Sequence, residues 1–305
     1  MSKIIFLGTP LFALPILKSL IEKKYNILSV FSQPPSKSKR GQNILKSPIQ
    51  VFSEDLKIDV RTPLNISNEK SHIKSLNIDL GIVVAYGQLI PEEILSLSKY
   101  GFINVHASLL PKYRGSAPIQ RSIINLESTT GISIMKINKK LDAGPVCNQY
   151  QIKIKDNENY LSLSKRLSIL AAEKIDENIK LIMSKKIIFK EQDHSSSTYA
   201  KKIIKSEGKI NWEQDAKTII AKKNGLSPYP GIWFNFNNER YKIVEAELST
   251  LNGEPGKVLN DQFVIGCGIN SLKVVVLQRQ GKLPQKAIDF LRGSKIKVGS
   301  LLSYE

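Results

Sequence analysis

The sequence predicts two folded units: a doubly wound, Rossmann-like α/β domain over residues 1–189 and a small, OB-like β-barrel domain over residues 207–305, joined by a linker at 190–206. Three observations predict this. The length of 305 residues exceeds one ordinary domain and suits two. Apolar, strand-like runs alternate with helix-like segments through the first half of the chain. Beyond Gly231 the pattern changes to short β-type runs divided by Gly, Asn and Pro.

Taken in order, residues 3–7 form an apolar run that stops at Gly8, residues 15–24 read as a helix, and residues 25–31 (YNILSVF) as the next strand. Helix-like segments at 48–56 and 91–97 flank a strand at 79–85 (DLGIVVA), and residues 102–106 (FINVH) make another. Alternation of this kind predicts a parallel sheet covered by helices. Residues 117–126 read as a helix, 131–137 as a strand and 161–185 as a long amphipathic helix. The polar stretch 190–198 (KEQDHSSST) breaks the pattern and places a domain boundary near residue 206. The runs IWFNF, RYKIVEAEL, GKVL, QFVIGCG and LKVVVLQ then follow at the spacing of a small barrel.

An apolar fraction of 41% and a charged fraction of 24% describe a globular chain, not a disordered one. No window offers the roughly 20 uninterrupted apolar residues of a membrane helix, and residues 4–7 are too few for a secretory signal core, so a cytoplasmic address is expected. Cys147 and Cys267 lie far apart, without Cys or His at metal-ligand spacing, and read as small buried hydrophobes. The charge is more informative. A net +18 points to an anionic partner, and most of it is carried early: 31 basic against 17 acidic residues precede Glu207. Residues 23–53 contain no acid, while Lys37, Lys39, Arg40 and Lys46 share one stretch with Ser, Pro and Gly, forming a basic loop. A solvated lysine-rich surface would give the same composition.

Gly8-Thr9-Pro10 closes the first strand where a dinucleotide fold would carry its glycine fingerprint, but Pro10 and Phe12 occupy that turn, which disfavours a nicotinamide enzyme. A denser signal runs from Asn104 through His106, Ser108 and Pro111 to Arg114 and Gly115. On a strand at 102–106, alternation puts Asn104 and His106 on one side, at the carboxyl end where open α/β sheets keep their sites. A side-chain amide there is suited to donate to a carbonyl oxygen as it gains charge, and an imidazole to exchange a proton with an attacking amine. Asp142, just before Ala143-Gly144, is suited to pair with that imidazole. Taken singly, a satisfied core histidine and an ordinary turn aspartate read the same way. His72 and His194 stand in polar contexts and read as surface residues.

These residues carry a resemblance. GTPLFALPIL at 8–17, VVAYGQLIP at 83–91, INVHASLLPKYRGSAPIQ at 103–120 and GISIMKINKKLDAGPV at 131–146 resemble the methionyl-tRNA formyltransferase family of folate-dependent formyltransferases. SPYPGIWF, PGKVL and LQRQGKLPQKAIDFLRG extend the likeness into that family's carboxyl-terminal domain. The resemblance implies transfer of the formyl group of 10-formyltetrahydrofolate to the amine of methionine on initiator methionyl-tRNA. It assigns Asn104, His106 and Asp142 as the catalytic set. Ser108, Leu109, Leu110 and Pro111, with Tyr86 and Gly87, are assigned to the folate cleft, and the loop carrying Lys37, Lys39, Arg40 and Lys46 to the acceptor stem of the tRNA. It implies a monomer without metal. Asn224 stands where the family usually has Arg, Pro35 where an acid is common, and Leu11 replaces a frequent acid after Gly-Thr-Pro.

Three other readings share parts of this pattern. A sugar-nucleotide formyltransferase would use the same Asn, His and Asp without needing the basic loop. A folate-dependent deformylase would turn the same groups on water. A non-catalytic nucleic-acid-binding protein would account for +18 and leave the triad without a purpose. Ser108 keeps a formyl-enzyme open beside direct transfer.

Overall fold

A computed structural model describes residues 2–37 and 44–302. Strand β1 (Lys3–Gly8) is buried at every position after Lys3, as befits the middle of a sheet covered on both faces. Helix α1 (Leu14–Glu22) starts with Pro15 in its first turn, where a missing N–H costs nothing, and buries Ile16, Leu17 and Leu20 on one face. Strand β2 (Asn26–Phe31) leads to a two-residue pair, β3 (Ser36–Lys37) with β4 (Ile44–Leu45). Helix α2 (Pro48–Asp55) is capped by Ser47, whose hydroxyl accepts from the Gln50 N–H. Then come β5 (Val60–Arg61), α3 (Lys70–Leu76), β6 (Leu80–Val84), α4 (Glu92–Leu95), β7 (Phe102–His106), α5 (Pro118–Ile124), β8 (Thr129–Lys136), β9 (Val146–Lys153) and α6 (Tyr160–Met183).

The seven strands lie in the order β5-β2-β1-β6-β7-β8-β9. Pairs from β5 to β7 are parallel, as the alternation predicts. Strand β8 is a departure. It pairs antiparallel with β7, Ile103 opposite Lys136 and His106 opposite Ser133, because the connection from β7 returns the chain to the edge it had just left. Strand order reverses between β1 and β6, so the crevice at their carboxyl ends is the switch point. Side chains meet there: Thr9 donates its hydroxyl to the Tyr86 carbonyl at 2.9 Å, and the Gln33 amide donates to the same oxygen at 3.2 Å. One face of the sheet packs Ile5, Leu7, Phe31, Val83 and Phe102 against Ile73 of α3 and Ile94 of α4.

The second unit contains α7 (Ala216–Leu226), β10 (Ile232–Phe236), β11 (Glu239–Ser249), β12 (Val264–Gly266), β13 (Ser271–Arg279), β14 (Gln285–Lys286) and α8 (Ala287–Arg292). Its antiparallel strands run β10-β11-β13-β12, with β14 also on β13. Of the expected strand GKVL, only the isolated bridges at Lys257 and Val258 form. The barrel is therefore a half-barrel. Its core joins Trp212, Phe234, Tyr241, Phe263 and Phe290 through ring contacts of 5.5–6.3 Å. Asn224 is buried in α7.

The chain divides into two compact units whose segments alternate along the sequence. The first compact unit comprises the chain to Pro118, Thr129–Ile152 and Ser164–Ala200; Ile119–Ser128, Lys153–Leu163 and the chain from Lys201 form the second. Much of the stretch expected as a linker therefore belongs to the α/β unit. Backbone pairing ties it there, Val146 with Lys190 and Arg114 with Tyr199 as isolated bridges, while most of its side chains stay exposed.

Candidate active site

Strand β7 delivers Asn104 and His106 to the carboxyl edge, and the turn after β8 brings Asp142 between them. Asp142 adopts a left-handed conformation, φ 47°, which short polar side chains tolerate better than most. That bend turns the carboxylate inward. Oδ1 accepts from Asn104 Nδ2 at 3.3 Å, while Oδ2 accepts from the Gly115 N–H at 2.8 Å and lies 3.7 Å from His106 Nδ1. The other face of the imidazole is fixed too: Nε2 lies 2.8 Å from the Tyr113 carbonyl oxygen. A carbonyl only accepts, so Nε2 carries the proton and the neutral ring keeps its lone pair on Nδ1, toward Asp142.

The chemical content follows from those contacts. Asn104 has two amide hydrogens, and one partner at Asp142 leaves the second for an oxygen that gains charge. His106 Nδ1 can take a proton, and the imidazolium so formed has a carboxylate beside it. Gly144 lets the loop pass close under β8, since a Cβ there would lie 1.9 Å from the Lys136 carbonyl oxygen.

The pattern of the formyl transferase family matches residues 2–179, and that of the formyl transferase carboxyl-terminal domain matches 202–295. A methionyl-tRNA formyltransferase from Pelagibacter ubique is 57% identical over 305 residues, covering 99% of this chain and 98% of the relative. This chain belongs to the methionyl-tRNA formyltransferase family. A member from Paramagnetospirillum magneticum is 37% identical, over 98% of this chain and 99% of its own. Two solved structures share the family fold at lower identity. WlaRD, a sugar 3N-formyltransferase crystallised with dTDP and 5-N-formyl-THF, superposes with a TM-score of 0.67 at 20% identity, over 93% of this chain and 99% of that one. HypX from Aquifex aeolicus, in complex with tetrahydrofolic acid, gives 0.66 at 15% identity over 99% of this chain and 50% of its own.

The remaining residues expected from the family pattern fall into several places. Ser108 is fully buried, and its hydroxyl donates to the Lys112 carbonyl at 2.6 Å, closing the turn that follows β7. This engagement speaks against a formyl-enzyme on Ser108. Leu110 is buried, and its N–H donates to Ser133 Oγ, which itself donates to the Ser108 carbonyl. Leu109 packs against Gly131, and Pro111 follows a cis bond. Gly87, at φ 89°, sits beside Gln33 at the switch-point crevice. The Tyr86 ring departs from a cleft-lining role: it is 1% exposed within the sheet-face core, and burial pushes its phenol above the ordinary range, so only its main chain faces the crevice.

Of the basic loop, Lys39 and Arg40 lie outside the described residues, and Lys37 belongs to β3. Lys46 is paired with Glu54 at 2.6 Å, an interaction that holds the Glu54 carboxyl below its usual range. His194, read as a surface residue, is exposed yet accepts at Nδ1 from the Arg114 guanidinium at 2.9 Å. Gln192 and Thr198 were invisible as site residues. Both sit in the polar stretch after α6 and reach partners 48 to 85 residues away, beyond any local spacing rule.

Proposed function

We propose that this protein transfers the formyl group of 10-formyltetrahydrofolate to the amine of methionine on initiator methionyl-tRNA. The observation that carries the reading is the convergence of Asn104 and His106 on Asp142, within a chain that follows the family pattern through both domains. The main chain at Gly87 and the Ser108–Pro111 turn would hold the folate. Lys37, Lys39, Arg40 and Lys46 would meet the acceptor stem, Lys46 after releasing Glu54. The catalytic unit acts as a monomer in this reading.

In the mechanism, the methionine amine attacks the formyl carbon. Asn104 donates its free amide hydrogen to the formyl oxygen as charge builds there. His106 Nδ1 accepts the proton the amine loses and returns it to the folate nitrogen as its bond to the formyl carbon breaks. Asp142 stabilises the imidazolium between those steps. Formyl-methionyl-tRNA and tetrahydrofolate result, with atoms and charge balanced. The test is incubation with 10-formyltetrahydrofolate and either methionyl-tRNA or an amino sugar nucleotide, following the folate product. Turnover with methionyl-tRNA alone is expected; turnover only with the sugar nucleotide overturns the acceptor assignment.

A further inference from the structure

Arg114 is 3% exposed and Gln192 8%, and no step of the mechanism uses either. Their contacts form a chain with a direction. Arg114 Nε and Nη2 both donate to Gln192 Oε1, at 3.0 and 2.7 Å. A guanidinium has no acceptor, so the amide oxygen of Gln192 must face it and the amide nitrogen must face away. That nitrogen donates to two main-chain carbonyls, Asp142 O at 2.9 Å and Gly144 O at 2.7 Å. These are the carbonyls on either side of Ala143, in the turn whose left-handed bend at Asp142 aims the carboxylate.

The same segment grips the triad from the other side. The Gly115 N–H donates to Asp142 Oδ2, and the Tyr113 carbonyl receives His106 Nε2. Residues 113–115 are anchored in turn: Tyr113 N–H donates to Thr198 Oγ1 at 2.8 Å, and Arg114 N–H to the Thr198 carbonyl at 2.9 Å. One short segment thus fixes the imidazole tautomer, the carboxylate and, through Gln192, the backbone beneath the carboxylate.

We infer that Gln192, oriented by the buried Arg114 guanidinium, is a positioning residue that sets Asp142 at the distance from His106 and Asn104 that formyl transfer requires. The inference rests on the catalytic reading of Asp142 given above. Gln192 touches no reacting atom and acts through the turn. Without it, two main-chain carbonyls, that of Gly144 buried, lose this donor and the turn relaxes away from the bend that Asp142 adopts; misplacement of a catalytic group by about 1 Å costs roughly 10²-fold in turnover.

The test uses the full-length protein and four variants: Gln192→Leu, Gln192→Glu, Asp142→Asn, and Gln192→Leu combined with Asp142→Asn. Gln192→Glu keeps a partner for Arg114 and so protects folding, but turns a carboxylate oxygen on the two carbonyls. Both single Gln192 variants are expected to lower kcat by about 10- to 100-fold with KM for folate and methionyl-tRNA within about twofold. The double variant is expected to be no slower than Asp142→Asn alone, because the two residues act as one unit. Losses that multiply in the double variant overturn the inference, as does a kcat per folded molecule that stays normal in Gln192→Glu. If Gln192→Leu fails to fold, Gln192→Glu paired with Asp142→Asn carries the same comparison. Near-normal transfer in Asp142→Asn overturns this inference together with the catalytic reading; a disabled Asp142→Asn beside normal Gln192 variants overturns this inference alone.

Discussion

Replacing Gly144 with Ala perturbs the site without touching a reacting group. The added methyl would lie 1.9 Å from the Lys136 carbonyl oxygen, a main-chain atom of the sheet's β8 strand that cannot swing aside. Ordinary contact needs about 3.4 Å, so the turn or the strand end must move by about 1.5 Å. Asp142 lies two residues away and depends on spacings of 3.3 Å to Asn104 and 3.7 Å to His106. Displacement of even half that size removes the Asn104 contact and leaves the imidazolium without its carboxylate. The expected cost is about 10²-fold in kcat, with about 1–3 kcal/mol lost from stability through overpacking. Steady-state formyl transfer, read beside the thermal transition of the same preparation, checks both numbers. A folded Gly144→Ala protein with kcat within threefold of the parent would refute the reasoning, since it would mean that Asp142 tolerates a displaced turn.

Further outcomes follow from the same geometry. His106→Ala is expected to lower kcat by about 10² or more with the fold intact, measured as single-turnover transfer. Asn104→Ala should cost roughly 10² to 10³ in kcat with little change in KM; a defect confined to KM would reassign Asn104 to binding. Changing Lys37, Lys39 and Arg40 to Ala should weaken methionyl-tRNA binding and flatten its salt dependence by roughly 0.9 in log slope per lost phosphate contact, leaving folate affinity unmoved. Lys46→Ala is expected to do least, because Glu54 already holds that ammonium. Burial pushes the Cys147 thiol up to about 11 and Cys267 up to about 12, so thiolate is scarce below those values in the native protein. Alkylation at pH 8 should be slow until denaturant is added, then rapid at both; fast native labelling would contradict the packing.

The sequence made the α/β unit legible where periodicity was strong. Phe102–His106 is found at the expected bounds because its residues are apolar on both faces apart from Asn104 and His106. Strand β9, by contrast, has alternate residues exposed along VCNQYQIK, so it lacks the apolar run that marks a central strand. Strand β5 has only two residues, and α3 buries only Ile73; neither leaves a period to read. Asn104, His106 and Asp142 stand out as candidates because each lies in a dense local motif. That the Tyr86 ring faces the core while its carbonyl faces the crevice is a matter of the direction of a single side chain, which sequence does not record. Gln192 gives no sequence signal for a different reason: its contacts, to Arg114 at one end of the amide and to Asp142 and Gly144 at the other, are all long-range.

The pairing of Thr198 and Ala200 with Tyr113, Arg114 and Ala117 sets the shortest length of chain that can hold this chemistry together. The family pattern of the catalytic domain closes at residue 179, and cutting there would look natural. Such a fragment would keep Asn104, His106 and Asp142, yet lose both hydrogen-bond donors and acceptors that clasp residues 111–117 from outside, and with them Gln192. A fragment that keeps this clasp must run at least to Ala200. Any transplant of this site into another scaffold would have to carry the trailing segment as well, since the sheet presents the triad but the returning chain holds it shut.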